Sequence, residues 1–274
     1  MKIICLIDNQ TSNPELKSEH GLSYYIETEN RKILFDLGQS PLFIDNAIKM
    51  GLDLSKVDTV VISHGHYDHA GGLKAFLSIN KQAKIFIHKH AFRRHYSLTI
   101  EGDLSEIGID SNLKNHPQVV LTDSGYAVGT DIILFSEPHQ KKFYPSGNQL
   151  LKEAVGDAIF LDDFSHEQSM ILIEGNQYVL FAGCAHKGIL NIVNQAIEIM
   201  HFEPSHVLGG FHLHSRSTGQ SERDDFILAL GTELVAINTI YHTGHCTGIY
   251  AFQLLNRHYG QQMQYFSAGQ TIKI

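Results

Sequence analysis

A chain of 274 residues that is 43% hydrophobic and 18% charged can bury a sizeable core and is too apolar to be disordered. Its formal charge of −8 gives no support for a nucleic-acid partner. No apolar run approaches the roughly 20 residues that span a bilayer, so no membrane partner is expected.

Residues 2–6 read as a buried strand with Cys5 in the core. The apolar run there is too short for a signal peptide and lacks a cleavage site, so a cytoplasmic location is expected. Residues 22–28 and 32–36 are β-rich runs flanking Glu29-Asn30-Arg31, a hairpin with a short loop. Residues 41–50 read as a helix, with Pro41 in its first turn and Gly51 just past its end. Residues 57–62 are β-branched at every position but Asp58, as in a strand covered on both faces. A helix start at 71–77 and a strand at 84–87 follow.

From about 90 to 155 the pattern loosens. Glu101-Gly102-Asp103 and Pro145-Ser146-Gly147-Asn148 interrupt short strands at 119–121 and 132–135. This region reads as an insertion or lid-like loops within a single domain, 1–274. Strands at 169–173 and 178–181, a helix at 189–200, a strand at 206–208, a helix near 222–230 and a strand at 235–239 complete the pattern. Two groups of strands, each followed by helices, indicate an α/β protein with a sheet-on-sheet core, a four-layer sandwich; a single open sheet is the alternative.

Eighteen histidines are the compositional outlier, and their placement matters most after the strand at 57–62. There the chain reads Ser63-His64-Gly65-His66-Tyr67-Asp68-His69-Ala70-Gly71-Gly72, four metal-capable side chains within six positions. Mixed imidazole and carboxylate donors suit zinc or a related first-row metal. His64 and His66, one residue apart in an extended loop, can grip one ion while Asp68 and His69 on the following turn face a second. The three cysteines, Cys5, Cys184 and Cys246, are odd in number and mostly far apart, which argues against a disulfide scaffold.

His64-x-His66-x-Asp68-His69 resembles the signature of the metallo-β-lactamase fold superfamily. Leu34-Phe35-Asp36-Leu37-Gly38 resembles the segment that precedes its metal loop, and Asp36 is read as orienting a ligand. Residues 178–184 resemble the strand whose end supplies an aspartate in most members; here Cys184 stands in that place. Tyr241-His242-Thr243-Gly244-His245 resembles the late strand-end motif of glyoxalase II and its relatives. More narrowly, Gly183-Cys184-Ala185-His186, Gly209-Gly210-Phe211-His212-Leu213 and Thr243-Gly244-His245-Cys246-Thr247-Gly248 resemble one branch. That branch holds 7,8-dihydropterin-6-yl-methyl-4-(β-D-ribofuranosyl)aminobenzene-5′-phosphate synthases and relatives known only as metal-dependent hydrolases.

The resemblance implies a four-layer αβ/βα sandwich and two divalent ions, zinc first with manganese or iron as alternatives. It implies metal-assisted hydrolysis, in which the ions share a water and lower its pKa from about 15.7 to roughly 7. His245 is read as a second-ion ligand, with His242 as its rival. The third ligand of the first ion is His186 or His166; the reading favours His186 and leaves His166 as a nearby polar group that contacts substrate. Cys184 is either a thiolate ligand or a packed thiol, and Cys246 is read as packing. Asp68 orients the nucleophile, His212 contacts substrate or gives a proton, and Arg216 is a phosphate-clamp candidate.

No Gly-x-Ser-x-Gly elbow or phosphate-binding loop competes with metal chemistry. The expected function is hydrolysis of a small anionic phosphoester or phosphodiester. The alternatives are a synthase joining a pterin to an arylamine, and a non-catalytic metal or ligand sensor.

Overall fold

The computed structural model describes residues 1–274 except 100, 137, 139 and 140. The described residues form two compact units. One comprises Met1–Arg93, Ile107–Asp123 and Phe266–Ile274; the other comprises Arg94–Glu106 and Ser124–Tyr265.

In the first unit a seven-stranded sheet runs in the order Thr271–Lys273, Lys2–Ile7, Ser23–Glu27, Lys32–Phe35, Thr59–Ile62, Lys84–His88, Val119–Thr122. The expected hairpin is present, with Tyr24 opposite Phe35 and Glu27 opposite Lys32. The last four strands are parallel, so their carboxyl ends share one edge. Strand Thr59–Ile62 is buried at all four positions, as its β-branched run predicts. Side chains alternate across a strand, and the set Ile4, Leu6, Leu34, Val60, Ile62, Ile85 and Ile87 faces the helices. Phe43 and Ala47 of helix Leu42–Lys49 and Leu73, Phe76 and Leu77 of helix Leu73–Ile79 pack on it. Each such large side chain contributes about 1.5–3 kcal/mol by leaving water.

The second unit has its own seven-stranded sheet, in the order Met263–Tyr265, Ile240–Thr243, His206–Gly209, Gln177–Phe181, Ser169–Glu174, Ile132–Phe135, Gly125–Val128. The first four are parallel and the rest antiparallel. Helices Ile189–Met200, Asp224–Val235 and Ile249–Tyr259 cover one face through Val193, Ala196, Ile227, Leu230, Leu234, Ala251 and Leu255.

Two expectations are revised. The helix placed near 222–230 runs over Asp224–Val235, because its apolar stripe continues to Leu234. The strand placed at 235–239 is Ile240–Thr243, where Tyr241 pairs with Val207 and its hydroxyl donates to Leu234 O at 2.9 Å. Residues 90–155 hold six short strands, two of them, Val119–Thr122 and Ile132–Phe135, where the sequence placed them. Within them, His95–Leu98, Leu104–Glu106 and Leu151–Val155 join Ala158–Leu161 in a four-stranded antiparallel sheet, with Glu153 opposite His95.

His206 and His242 stack at the 206–209 and 240–243 strands, ring centroids 5.3 Å apart at 14°. Burial pushes the His242 imidazole down to about 4, and His206 adds to the shift. The unfolded chain therefore binds a proton here between about pH 6.5 and 4 that the folded chain refuses. Stability present above pH 6.5 should fall by up to about 3 kcal/mol as pH drops toward 4. Urea unfolding across this range should show that limb flattened in His242→Phe; an unchanged limb would assign the acid loss elsewhere.

Candidate functional site

The first donor set lies where parallel strands of the first unit end. Strand Lys32–Phe35 delivers Asp36, and strand Thr59–Ile62 delivers Ser63 and then His64, His66, Asp68 and His69. Asp36, Ser63, His64 and His69 are fully buried, and His66 and Asp68 nearly so. The Asp36 carboxylate accepts from Ser63 N at 2.7 Å through Oδ1 and from Ser63 Oγ at 2.7 Å through Oδ2. Its Oδ2 also lies 2.6 Å from His69 Nδ1. An ionised Asp36 can only accept, so Nδ1 of His69 carries the proton and Nε2 keeps a lone pair.

Ser63 passes the same constraint to His64. Its hydroxyl proton is committed to Asp36, so its oxygen, 2.8 Å from His64 Nδ1, accepts from that nitrogen. His64 Nε2 is thereby left as a donor atom for a metal. Asp68 Oδ2 sits 3.7 Å from His69 Nε2 and 3.1 Å from His20 Nε2. Helix Tyr67–Ala70 carries Asp68 and His69, and the next helix starts at once through Gly71 and Gly72. A Cβ on Gly72 would stand 2.3 Å from Leu37 O, so only glycine lets the two segments approach this closely.

The second donor set lies where three parallel strands of the second unit end. Strand Gln177–Phe181 leads to Cys184 and His186, His206–Gly209 to His212, and Ile240–Thr243 to His245 and Cys246. The donor atoms of Cys184, His245 and Cys246 lie within 4.8 Å of one another, as do those of Cys184, His186 and His212. Asn148 Nδ2 donates to His186 O at 2.7 Å, which fixes its amide, so Oδ1 at 3.0 Å accepts from His186 Nδ1. A third imidazole is therefore set with its lone pair on Nε2, the atom that can bind an ion. Phe164 stacks on the His186 ring at 4.4 Å and 5°.

Glu167 Oε1 and Oε2 accept from His186 N at 2.7 Å and Lys187 N at 2.9 Å. Burial pushes its carboxyl up to about 7 despite these bonds. Burial alone would raise the Cys246 thiol, but Cys184 and His212 hydrogen bonds and the His245 and His212 imidazoles hold it well below the ordinary thiol range.

His166 belongs to a buried trio in this unit. Its Nε2 and His95 Nδ1 both donate to Asp162 Oδ2 at 3.1 Å, with the rings 4.0 Å apart. Burial opposes the Asp162 charge, yet His166 and His95 hold the carboxyl well below the usual range. Burial pushes the His166 imidazole down. His212 lines a cleft of about 140 Å³ with Ser146, Gly147, Ser215, Thr218 and Glu222. Arg216 is exposed and is not among the residues lining that cleft.

Seven described non-glycine residues have positive φ, and five of them belong to or adjoin these groups: Asp36, Phe164, Ala185, His212 and His245. Such conformations cost about 1–3 kcal/mol each and gather where geometry is needed for function. Sequence reasoning missed Cys246 as a neighbour of the donors, along with Asn148, Glu167, His95, Asp162 and His20. Cys246 and Glu167 had local signals, lying beside His245 and His166, and Asp162 stands four residues before His166; Asn148 and His95 come from segments distant in the chain. His242, the rival of His245, stacks on His206.

The donor chemistry fits divalent ions of the zinc class: imidazoles, a carboxylate and thiols, with His64, His69 and His186 hydrogen-bonded at Nδ1. Among the described residues no helix is long and apolar enough to cross a membrane.

Comparison with known proteins agrees. An uncharacterized protein of Methanocaldococcus jannaschii, MJ0448, is 29% identical over 92% of this chain and 93% of its own. From the same organism, a 7,8-dihydropterin-6-methyl-4-(beta-D-ribofuranosyl)-aminobenzene-5′-phosphate synthase is 25% identical over 100% of this chain and 96% of its own. The crystal structure of Tm1679, described as a metal-dependent hydrolase of the beta-lactamase superfamily, superposes with a TM-score of 0.84 at 27% identity. It covers 100% of this chain and 99% of that one. The α/β architecture is the one the Tm1679 structure shares, and residues 18–186 match the family model of the metallo-beta-lactamase superfamily. The chain belongs to the metallo-beta-lactamase superfamily.

Proposed function

We propose that the protein is a metal-dependent hydrolase of small anionic phosphoesters or phosphodiesters that works with two divalent ions, zinc first among them. The observation that carries this reading is the hydrogen bonding at Nδ1 of His64, His69 and His186, which leaves three Nε2 atoms poised as ligands. His64, His66, Asp68 and His69 in the first unit, and Cys184, His186 and His245 in the second, are the proposed ligands. Bound divalent ions supply Lewis acidity and bring the pKa of a water to about 7.

The chain's own groups do the rest. Asp68, buried and next to His20, holds the nucleophile's orientation. His212 presents Nε2 toward Gly147 in the cleft, where it can hand a proton to the leaving oxygen. His166, fixed by Asp162, is the proposed polar contact to substrate, and exposed Arg216 can meet a phosphate at the rim.

A second reading is a synthase that joins a pterin to an arylamine-ribose phosphate. The M. jannaschii synthase supports it by aligning over the whole chain. Zinc-loaded protein incubated with a pterin pyrophosphate and the arylamine should release free pterin alcohol if it hydrolyses. It should also cleave an activated phosphodiester, and His212→Ala should slow that reaction by about 10²–10⁴-fold. A coupled pterin-arylamine product would favour the synthase. Metal binding with neither reaction, across esters and diesters, would favour a sensor.

A further inference from the structure

Cys246 lies in the short turn His245–Thr247, one residue past a proposed ligand. The turn is braced by Thr247 N donating to Gly244 O at 2.9 Å and by the bonded hydroxyls of Thr243 and Thr247. The neighbouring strand end is tied in as well, since Phe211 N donates to Thr247 Oγ1 at 2.9 Å. Cys184 lies across from it, its carbonyl 3.5 Å from Cys246 Sγ. A Cβ on Gly210 would stand 2.3 Å from that sulfur, so the thiol sits against bare backbone that only glycine provides.

We infer that Cys184, His245 and Cys246 together hold one divalent ion, with two thiolates and one imidazole as its protein donors. Zinc–sulfur bonds of about 2.3 Å and zinc–nitrogen bonds of about 2.0 Å place tetrahedral donors roughly 3.3–3.8 Å apart. The three donor atoms here lie within 4.8 Å of one another, so small side-chain movements close them on an ion. All three residues are buried. A cysteine that serves only as packing belongs among aliphatic side chains; Cys246 instead neighbours Cys184, His212 and His245.

The inference rests on the metal-dependent reading above and deepens it. Two thiolates offset the ion's double charge and select a soft metal, zinc or iron, over manganese or magnesium. This ion is then the tightly held member of the pair, and manganese cannot replace it.

Cobalt substitution reads the thiolates without relying on activity. Metal-free full-length protein is titrated with cobalt(II), and the near-ultraviolet sulfur-to-cobalt band is followed in wild type, Cys184→Ser, Cys246→Ser and the double variant. The band is expected to halve in each single variant and vanish in the double. A band that Cys246→Ser leaves whole, or cobalt binding with no such band in the wild type, overturns the inference and leaves the hydrolase reading standing. Protein that takes up neither cobalt nor zinc overturns both.

Should a variant fail to fold, zinc-edge X-ray absorption on the wild type decides. With two zinc ions bound, an average of one sulfur neighbour per zinc is expected, and half that or none overturns the inference.

Discussion

Asp36→Asn is expected to weaken divalent-metal binding about 10- to 100-fold while the chain still folds. The carboxylate is fully buried and adopts a φ of 60°, so it is held in a strained conformation to reach Ser63 and His69. Asparagine preserves the shape, and its oxygen can still accept from Ser63 N. Its amide nitrogen then faces Ser63 Oγ and His69 Nδ1, where an acceptor is required. His69 is forced to move its proton to Nε2, the atom meant for the ion, and Ser63 no longer sets the tautomer of His64.

Asp36→Ala goes further, leaving Ser63 N–H, the Ser63 hydroxyl and His69 Nδ1–H without this acceptor. Each such loss costs about 1–3 kcal/mol, so stability should fall with affinity. Competition with a chromophoric chelator measures the affinity and urea unfolding the stability. Wild-type affinity in Asp36→Asn would contradict the tautomer argument.

Gly72→Ala is expected to destabilise the protein by about 3 kcal/mol, the upper end for overpacking. Its new methyl would meet Leu37 O at 2.3 Å and the Phe43 ring at 2.6 Å, and the first of these is backbone that cannot turn aside. Relief requires the Tyr67–Ala70 helix to shift, and that helix carries Asp68 and His69, so metal affinity should fall as well. Urea unfolding of metal-free protein isolates the packing effect. A loss under about 1 kcal/mol would mean that the junction is looser than the contacts imply.

What the sequence made legible was local. The β-branched run before Ser63 and the four donors after it occupy consecutive positions, so both strand and loop could be read directly. The hairpin around Glu29-Asn30-Arg31 was equally short-ranged. The groups around His186 were not, because Asn148 lies 38 residues from it and Glu167 reaches it from a separate turn. His95 meets Asp162 across 67 residues, and nothing in its neighbourhood announces a partner.

The region 90–155 looked irregular for a related reason. Its strands are three to five residues long, and Leu151–Val155 pairs with His95–Leu98, far away in the chain. Such short pieces have no room for a period to show. The strand at 240–243 was displaced because residues 235–239 are also rich in β-branched side chains. Helix burial of Leu234 and the bond from Thr239 Oγ1 to Pro204 O settle where helix ends and strand begins.

The two-ion site is tested by the metal content of protein purified without added metal or chelator, measured beside His66→Ala. About two divalent ions per chain are expected, with fewer in the variant. No metal in either sample, and none taken up on titration with zinc or manganese, would contradict that site.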